Sequence, residues 1–433
     1  MSNGTPDDTT VRPADRPADP TATGQPPARG RRRGSAPVAR PSPRRVLADL
    51  GPREFANALI ALVFSATGPV AVILAAGGQG DLSPAQLSSW IFGVFFANGL
   101  LTILMSWVYR TPLAFFWTIP GTVIVGNSLG HLRWSEVLGA YVVTGVLILL
   151  VGLTGLARRL MDWIPMPIIM AMVAGVFLRF GLGLVEAVWA SVAVALPMAI
   201  AFLVVGAVPR LARVVPPILA AMVVGIVAVV LSGGLSRGVL DDGLIAAPML
   251  QAPEFTLRAI AELVVPLAIT VLVVQNGQGI AVLRAKGHHP PVSACAVACG
   301  VWSLLVSAVG AVSTCLTGPT NALLVSSGER DRHYAGAIAN GGLALVVGVF
   351  SPAFVGLILG TPAAFISALG GLAMLAPLQS GFVTAFRTDR ALGPLVCLLV
   401  TVADVSLLGI SAPFWGIVLG MAVSALLERR AAA

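Results

Sequence analysis

Thr118-Ile119-Pro120-Gly121-Thr122 and Thr317-Gly318-Pro319-Thr320-Asn321 start 199 residues apart in a chain of 433. Each begins Thr-x-Pro and interrupts an apolar run too short and too broken for an ordinary spanning helix. Each is followed by a hydrophilic turn and then a Gly-rich helical stretch. A helix broken inside a bilayer frees backbone groups, which is tolerable only where they meet partners in the protein or line a cavity. Interrupted segments at corresponding places in two halves point to the substrate site of a secondary transporter. The motif can also serve as a plain kink, but its double occurrence favours the site.

Two further pairs keep almost the same offset. Gly145 and Gly152 match Gly341 and Gly348, and Ala174-Gly175 matches Gly370-Gly371, each 196 residues on. Apolar runs read against their breakers predict spans at 55–77, 88–108, 113–129, 137–156, 164–183, 187–208 and 214–233. A second set follows at 258–283, 292–312, 315–327, 333–354, 359–382, 391–408 and 411–427. Seven is odd, so the second set begins on the opposite face, as in inverted-topology repeats. The expected fold is an all-α polytopic membrane protein with about 14 transmembrane segments in two inverted repeats of seven. Its third and tenth segments are broken. The expected organisation is a disordered cytoplasmic tail (1–53), a first repeat (54–236), an extracellular linker (237–257) and a second repeat (258–433).

Composition agrees. Hydrophobic residues make up 57% and charged residues 11%, with mean hydropathy +0.90. Soluble domains carry about 25% charged residues, so a soluble enzyme is excluded. The net charge of +8 divides unevenly, since residues 1–53 hold ten Arg and five Asp. With both termini inside, inner loops and tails carry 23 of the 27 basic residues, and the outer side carries Arg133, Arg179, Arg237 and Arg258. That distribution follows the positive-inside rule and reads as orientation, not nucleic-acid binding. The location expected is the plasma (cytoplasmic) membrane. Residues 1–45 are too poor in large apolar groups to fold, and no secretory signal is expected ahead of the first span.

The candidate substrate contacts are Thr118, Gly121 and Thr122 in the third segment and Thr317, Thr320 and Asn321 in the tenth. Hydroxyls, an amide and freed backbone N–H groups can orient a carboxylate without a buried cation. The same groups could instead cap the half-helices. Gln275 and Asn276 are adjacent buried amides that need partners, either substrate or a neighbouring helix. Glu262 and Asp404 are the carboxylates well inside predicted spans, so each is a candidate proton carrier. Arg179 is expected to pair with Glu186 or to reach the headgroups, with anion steering a further option. His288, His289 and His333 read as solvated groups at an inner loop. Cys295 and Cys299 stand one helical turn apart without a His or carboxylate in their segment, so no metal site or disulfide is expected.

Several stretches together carry a resemblance. They are Ser89-Trp90, Tyr109-Arg110-Thr111-Pro112, Ala174 to Leu182, Gln275-Asn276, Gly279 to Ala285, Leu408-Gly409-Ile410 and Phe414-Trp415-Gly416. Trp117-Thr118-Ile119-Pro120-Gly121 is similar to a Trp-Ser-Thr-Pro-Gly motif. On these residues the chain resembles the benzoate/proton symporter (BenE-type) family over most of 55–427. The resemblance implies a uracil-permease-type fold, with segments 1–4 and 8–11 forming a core and segments 5–7 and 12–14 a gate. It also implies substrate held between the third and tenth segments, with help from the first and eighth, and proton-coupled uptake of an aromatic carboxylate. The tenth segment departs from the family's Gly-Gly-His-x-x-Asn pattern: it keeps Asn321 but lacks the His. Asp404 also stands where small residues are expected.

The function expected is therefore proton-coupled import of benzoate or a related organic carboxylate by alternating access. The alternative is the same fold carrying sulfate or a nucleobase. A nucleobase permease would be expected to place Glu in the eighth and tenth segments, where this chain has Gln275 and Thr/Asn. An enzyme is not expected, because no His-Glu-x-x-His or paired-Asp constellation occurs, and no phosphate-binding loop marks an ATP-driven pump. No cofactor is expected. The partners expected are a small organic anion, protons and the lipid bilayer, with a homodimer left open.

Overall fold

The computed structural model describes residues 40–66, 68–156, 165–212, 215–233, 243–387, 390–404 and 412–428. The apolar runs become helices whose starts carry local signals. Ser83 opens one with a capping box to Gln86 and Pro84 in the first turn, and Thr256 caps another through the Ala259 N–H. In chain order the first half holds α1 (Pro52–Ala66), α2 (Gly68–Gln79), α3 (Pro84–Tyr109), β1 (Phe115–Trp117), α4 (Ile119–Leu129) and α5 (Trp134–Leu153). It continues with α6 (Met166–Ala190), α7 (Val192–Ala207) and α8 (Pro217–Leu231). The second half holds α9 (Leu257–Ala285), α10 (Val292–Ser307), β2 (Thr314–Leu316), α11 (Gly318–Leu324) and α12 (His333–Val349). It ends with α13 (Ser351–Leu359), α14 (Ala363–Phe386), α15 (Leu392–Ala403) and α16 (Ala412–Val423).

Among the described residues, six stretches are long and apolar enough to cross a membrane: the α1–α2 stretch (Pro52–Gln79), α3, α5, α6, α9 and α14. Large apolar side chains such as Leu203, Val204, Val223 and Val227 point outward, as lipid-facing helices require. The fifth span runs on to Ala190 instead of ending near 183, because glycine alone does not stop an apolar helix. The span expected over 333–354 ends at Val349, and Ser351-Pro352 starts a separate helix.

The repeat is visible in the packing. α5 lies on α10 while α12 lies on α3; α5 meets α9 while α12 meets α1; α7 meets α8 while α15 meets α16. Each couple is the other with the halves exchanged, and α6 and α14 pair directly. The matched glycines do matched work. A Cβ on Gly145 or Gly152 would strike Leu304 or Val297 of α10, and one on Gly341 or Gly348 would strike Gly99 or Phe96 of α3.

Part of the stretch expected as a disordered tail is ordered. Ser42 caps a short helix, Pro43–Asp49. Trp107 Nε1 donates to Pro41 O (2.8 Å) and Tyr334 Oη donates to Asp49 Oδ2 (2.6 Å). The linker expected at 237–257 falls partly, and the motif Leu408-Gly409-Ile410 wholly, outside the described residues. So does Arg237.

Candidate functional site

The third and tenth segments meet as a two-stranded antiparallel sheet, with Phe115 opposite Leu316, Phe116 opposite Cys315 and Trp117 opposite Thr314. Thr118 N–H to Ser313 O and Thr317 N–H to Ala114 O extend the pair. A two-stranded sheet has two open edges, which a bilayer interior does not tolerate. Side chains close them. Thr102 of α3 bonds both the N–H and C=O of Phe115 (2.8 and 3.1 Å). Ser303 accepts from Thr314 N–H and Asn276 from Leu316 N–H (3.0 and 2.7 Å). Asn321 accepts from Ala114 N–H and donates to Ala114 O and Thr317 O (3.1, 3.0 and 2.7 Å). Of the expected substrate contacts, Asn276 and Asn321 thus spend their amides on strand backbone.

α4 and α11 start where the strands end, and their first turns differ. Thr118 accepts from Gly121 N–H (3.2 Å) and donates to Thr270 Oγ1 of α9 (2.9 Å), so the start of α4 is capped from within. Thr122 donates to Thr118 O (2.9 Å). A Cβ on Gly121 would meet Thr118 and Leu267, so Gly121 serves close packing on α9. Thr317 at the start of α11 makes no such cap. Its Oγ1 is buried with no hydrogen-bond partner among the described residues. The Nε1 of Trp117 is in the same state. Thr320 and Ser65 pair through their hydroxyls at 3.3 Å. Thr317, Trp117, Thr320 and Ser65 line a small hollow of about 10 Å³ between the half-helices, room for about one water-sized group.

This hollow adjoins a cavity of about 520 Å³ and shares Phe64, Ile119 and Pro319 with it. The larger cavity lies between the starts of α4 and α11 and the C-terminal half of α9 on one side, and α6 and α14 on the other. Its walls are mostly apolar, with Met170, Val173 and Phe177 on one side and Val274 and Ala281 on the other, and no charged residue among the described ones lines it. Gln275 is the expected contact that reaches it, and its Oε1 is buried without a partner among the described residues. An amide can be turned end for end, so this position can offer either an acceptor or N–H donors.

The structure separates the two carboxylates. Glu262 on α9 is 1% exposed. It accepts from Ser128 Oγ (2.6 Å) and lies 3.0 Å from His131 Nε2, both at the far end of α4 from the cavity. The His131 side chain is 37% exposed, so it stands between the buried carboxylate and the surface. Asp404 ends α15 in a left-handed conformation (φ 52). Its carboxylate pairs with Arg179 of α6, which is not paired with Glu186.

A profile of the benzoate membrane transport protein family matches residues 48–426. The chain belongs to that family. It is 30% identical over 382 residues to inner membrane protein YdcO of Escherichia coli, covering 86% of this chain and 95% of the relative. It is 29% identical over 368 residues to the benzoate membrane transport protein of Acinetobacter baylyi, covering 84% and 92%. Among solved structures it is similar to the murine solute carrier 26 family member A9 anion transporter in its inward-facing state. There the TM-score is 0.60 at 14% identity, over 87% of this chain and 68% of that one. It is also similar to the transmembrane domain of the cyanobacterial bicarbonate transporter BicA, with TM-score 0.54 at 12% identity, over 86% and 98%. These likenesses establish the fold, a mostly helical inverted-repeat transporter.

Family membership makes the chain a multi-pass membrane transporter. Several site residues had escaped the sequence. Gln278 lines the cavity, Thr270 receives the Thr118 hydroxyl, and Ser128 and His131 hold Glu262. The hydrophilic turn after the third segment was the signal that could have singled out His131. Of the histidines read as solvated, His289 is exposed and the other two are a correction. His288 and His333 are buried, with His288 Nε2 3.1 Å from His333 Nδ1. His333 Nε2 donates to Ser327 O (3.2 Å), so its Nδ1 accepts from His288.

Proposed function

We propose that this chain imports benzoate or a related aromatic carboxylate, coupled to protons, by alternating access. The cavity of about 520 Å³ carries the reading. Its apolar walls suit a ring. In the adjoining hollow at the start of α11 the unpartnered Thr317 hydroxyl and Trp117 indole N–H suit a carboxylate, and Gln275 suits one when its amide is turned to present N–H donors. The apolar lining favours an aromatic acid over sulfate, and the absence of a lining carboxylate disfavours a nucleobase. The cavity reaches toward the ends of α9 and α14, which the arginine distribution assigns to the cytoplasm together with both termini. Relatives of transport type favour a carrier over an enzyme, and a homodimer is part of the same reading.

Glu262 is the carboxylate we assign to the proton. It is buried against two neutral-capable partners, whereas Asp404 is committed to Arg179. Ser128 and Thr118 both belong to the α4 segment, roughly 15 Å apart at 1.5 Å per residue. A change in the Glu262 bonds would therefore be felt at the substrate end of the same helix.

The test is radiolabelled benzoate uptake into proteoliposomes under an inward proton gradient, beside protein-free liposomes because neutral benzoic acid crosses lipid unaided. Sulfate, bicarbonate and uracil serve as competitors. Gradient-driven, protein-dependent uptake supports the reading, and competent protein with no uptake above control refutes benzoate. Glu262→Gln should abolish accumulation while benzoate exchange persists. Accumulation that survives in Glu262→Gln removes Glu262 from the proton's path.

A further inference from the structure

We propose a second site for an aromatic carboxylate, a waiting position on the outer side of the same route. The inference rests on the transporter reading above. The site is a cavity of about 150 Å³ between α2 and α4 on one side and α6 and α14 on the other. Ala76, Val123, Phe180 and Ile366 give it apolar walls, and Arg179 lines it. An engineered apolar cavity of about that volume holds benzene, so the space matches a six-membered ring. Arg179 is the one charged residue lining any of the three cavities described here.

The guanidinium suits the other end of such a ligand. Its Nη2 donates to Asp404 Oδ2. A guanidinium carries five donors in a rigid fork that can hold a carboxylate through two bonds. Asp404 thus occupies part of the fork as a resident carboxylate that an incoming one can join or displace. Its left-handed backbone places it at the end of α15 beside the cavity-lining arginine.

Position makes the cavity part of the route. The same three helices line both chambers: Val123 and Asn127 of α4 here, Ile119 and Pro120 there; Phe180 of α6 here, Phe177 there; Gly370 of α14 here, Ala373 there. Between them α2 and α14 touch so closely that a Cβ on Gly68 would lie 2.0 Å from the Ala373 Cβ. The outer chamber therefore stacks above the inner one along shared walls, with α2 and α14 in close contact at Gly68 and Ala373. A ligand held by Arg179 would sit one contact layer from the inner cavity.

The experiment compares wild type, Arg179→Gln, Arg179→Lys and Asp404→Asn, each checked for monodisperse folding, in proteoliposomes of determined orientation. Benzoate transport is measured from each face, and labelled benzoate binding to purified protein gives the stoichiometry. Arg179→Gln should raise the outer-face KM about tenfold or more, with the inner-face KM within about twofold, as loss of a charged hydrogen bond implies. Arg179→Lys should fall between, because it keeps the charge and loses the fork. Asp404→Asn should lower the outer-face KM. Wild type should bind two benzoates, and Arg179→Gln one. An unchanged outer-face KM, or an equal rise at both faces, overturns the proposal. If wild type transports no carboxylate, the functional reading fails, and stoichiometry alone decides the site: no bound benzoate, or a number unchanged by Arg179→Gln, refutes it, and one benzoate fewer in Arg179→Gln upholds it.

Discussion

Replacing Thr317 by valine should move stability and affinity in opposite directions. The Thr317 hydroxyl is buried and unpartnered in the empty protein. Burying a hydroxyl without a partner costs about 1–3 kcal/mol. Valine keeps the shape and removes that cost, so the empty variant should be as stable as the parent or up to about 3 kcal/mol more stable. A water bound in the 10 Å³ hollow would bring the gain toward zero. With substrate present the balance reverses. A hydrogen bond to a charged group is worth about 1.5–3 kcal/mol, which corresponds to roughly 10- to 150-fold in affinity. The assay is thermal unfolding of the purified transporter with and without benzoate, beside direct binding. At ligand one hundred times the parental Kd, the parent gains about 2.7 kcal/mol. A variant with fiftyfold weaker binding gains only about 0.6 kcal/mol by the same relation. Thr118→Val is the matched control. It removes a cap and the bond to Thr270, so it should cost about 1–2 kcal/mol in the empty protein. If Thr317→Val loses stability like Thr118→Val and keeps full affinity, the hydroxyl is structural and the reasoning is wrong.

Other outcomes follow from the same geometry. Asn321→Ala strands the buried Ala114 N–H and removes two further bonds; unfolding should show a loss of about 2–5 kcal/mol whether or not ligand is present. Gly279→Ala would put a Cβ 2.7 Å from Leu316 O; it should push β2 off α9 and lower both stability and binding, whereas full stability would show that the strand gives way. Burial, reinforced by neighbouring His333, lowers the pKa of His288 from 6.5 to about 4. The unfolded chain then binds the proton first, so stability should fall as pH drops below about 6.5 and level off below about 4. His288→Gln should flatten that window in pH-dependent melting, and an unchanged slope would place the titration elsewhere.

The breaks in the third and tenth segments were legible because proline and glycine act locally, on their own backbone. The glycine pairs were legible because Gly145, Gly152, Gly341 and Gly348 each permit one helix to close on another, and that need recurs at the repeat period. The strands were not. β1 and β2 are three residues each and pair across 197 to 201 positions, so no local propensity could reveal them. Of their edge partners, Asn276 and Asn321 look in sequence like polar residues awaiting a ligand, and Thr102 and Ser303 do not stand out at all. Only the fold shows what their hydrogen bonds satisfy. His288 and His333 failed for the same reason, since their burial comes from a loop and the start of α12, which meet only in space.

The two Thr-x-Pro motifs look equivalent in sequence, yet the repeat uses them unequally. Thr118 turns its hydroxyl back on Gly121 and across to Thr270, so α4 begins sealed to α9. Thr317 leaves its hydroxyl unused at the start of α11. A symmetric pair of sealed helices would offer an anion nothing, and a symmetric pair of open ones would bury more unpaired polar groups in the absence of substrate. One sealed and one open end limits that cost to the few groups a substrate can satisfy. The sealed helix is also the one whose other end carries Ser128 against Glu262. In the proposed mechanism the repeat divides its duties, with α11 offering free polar groups to the substrate and α4 joining that place to the buried carboxylate.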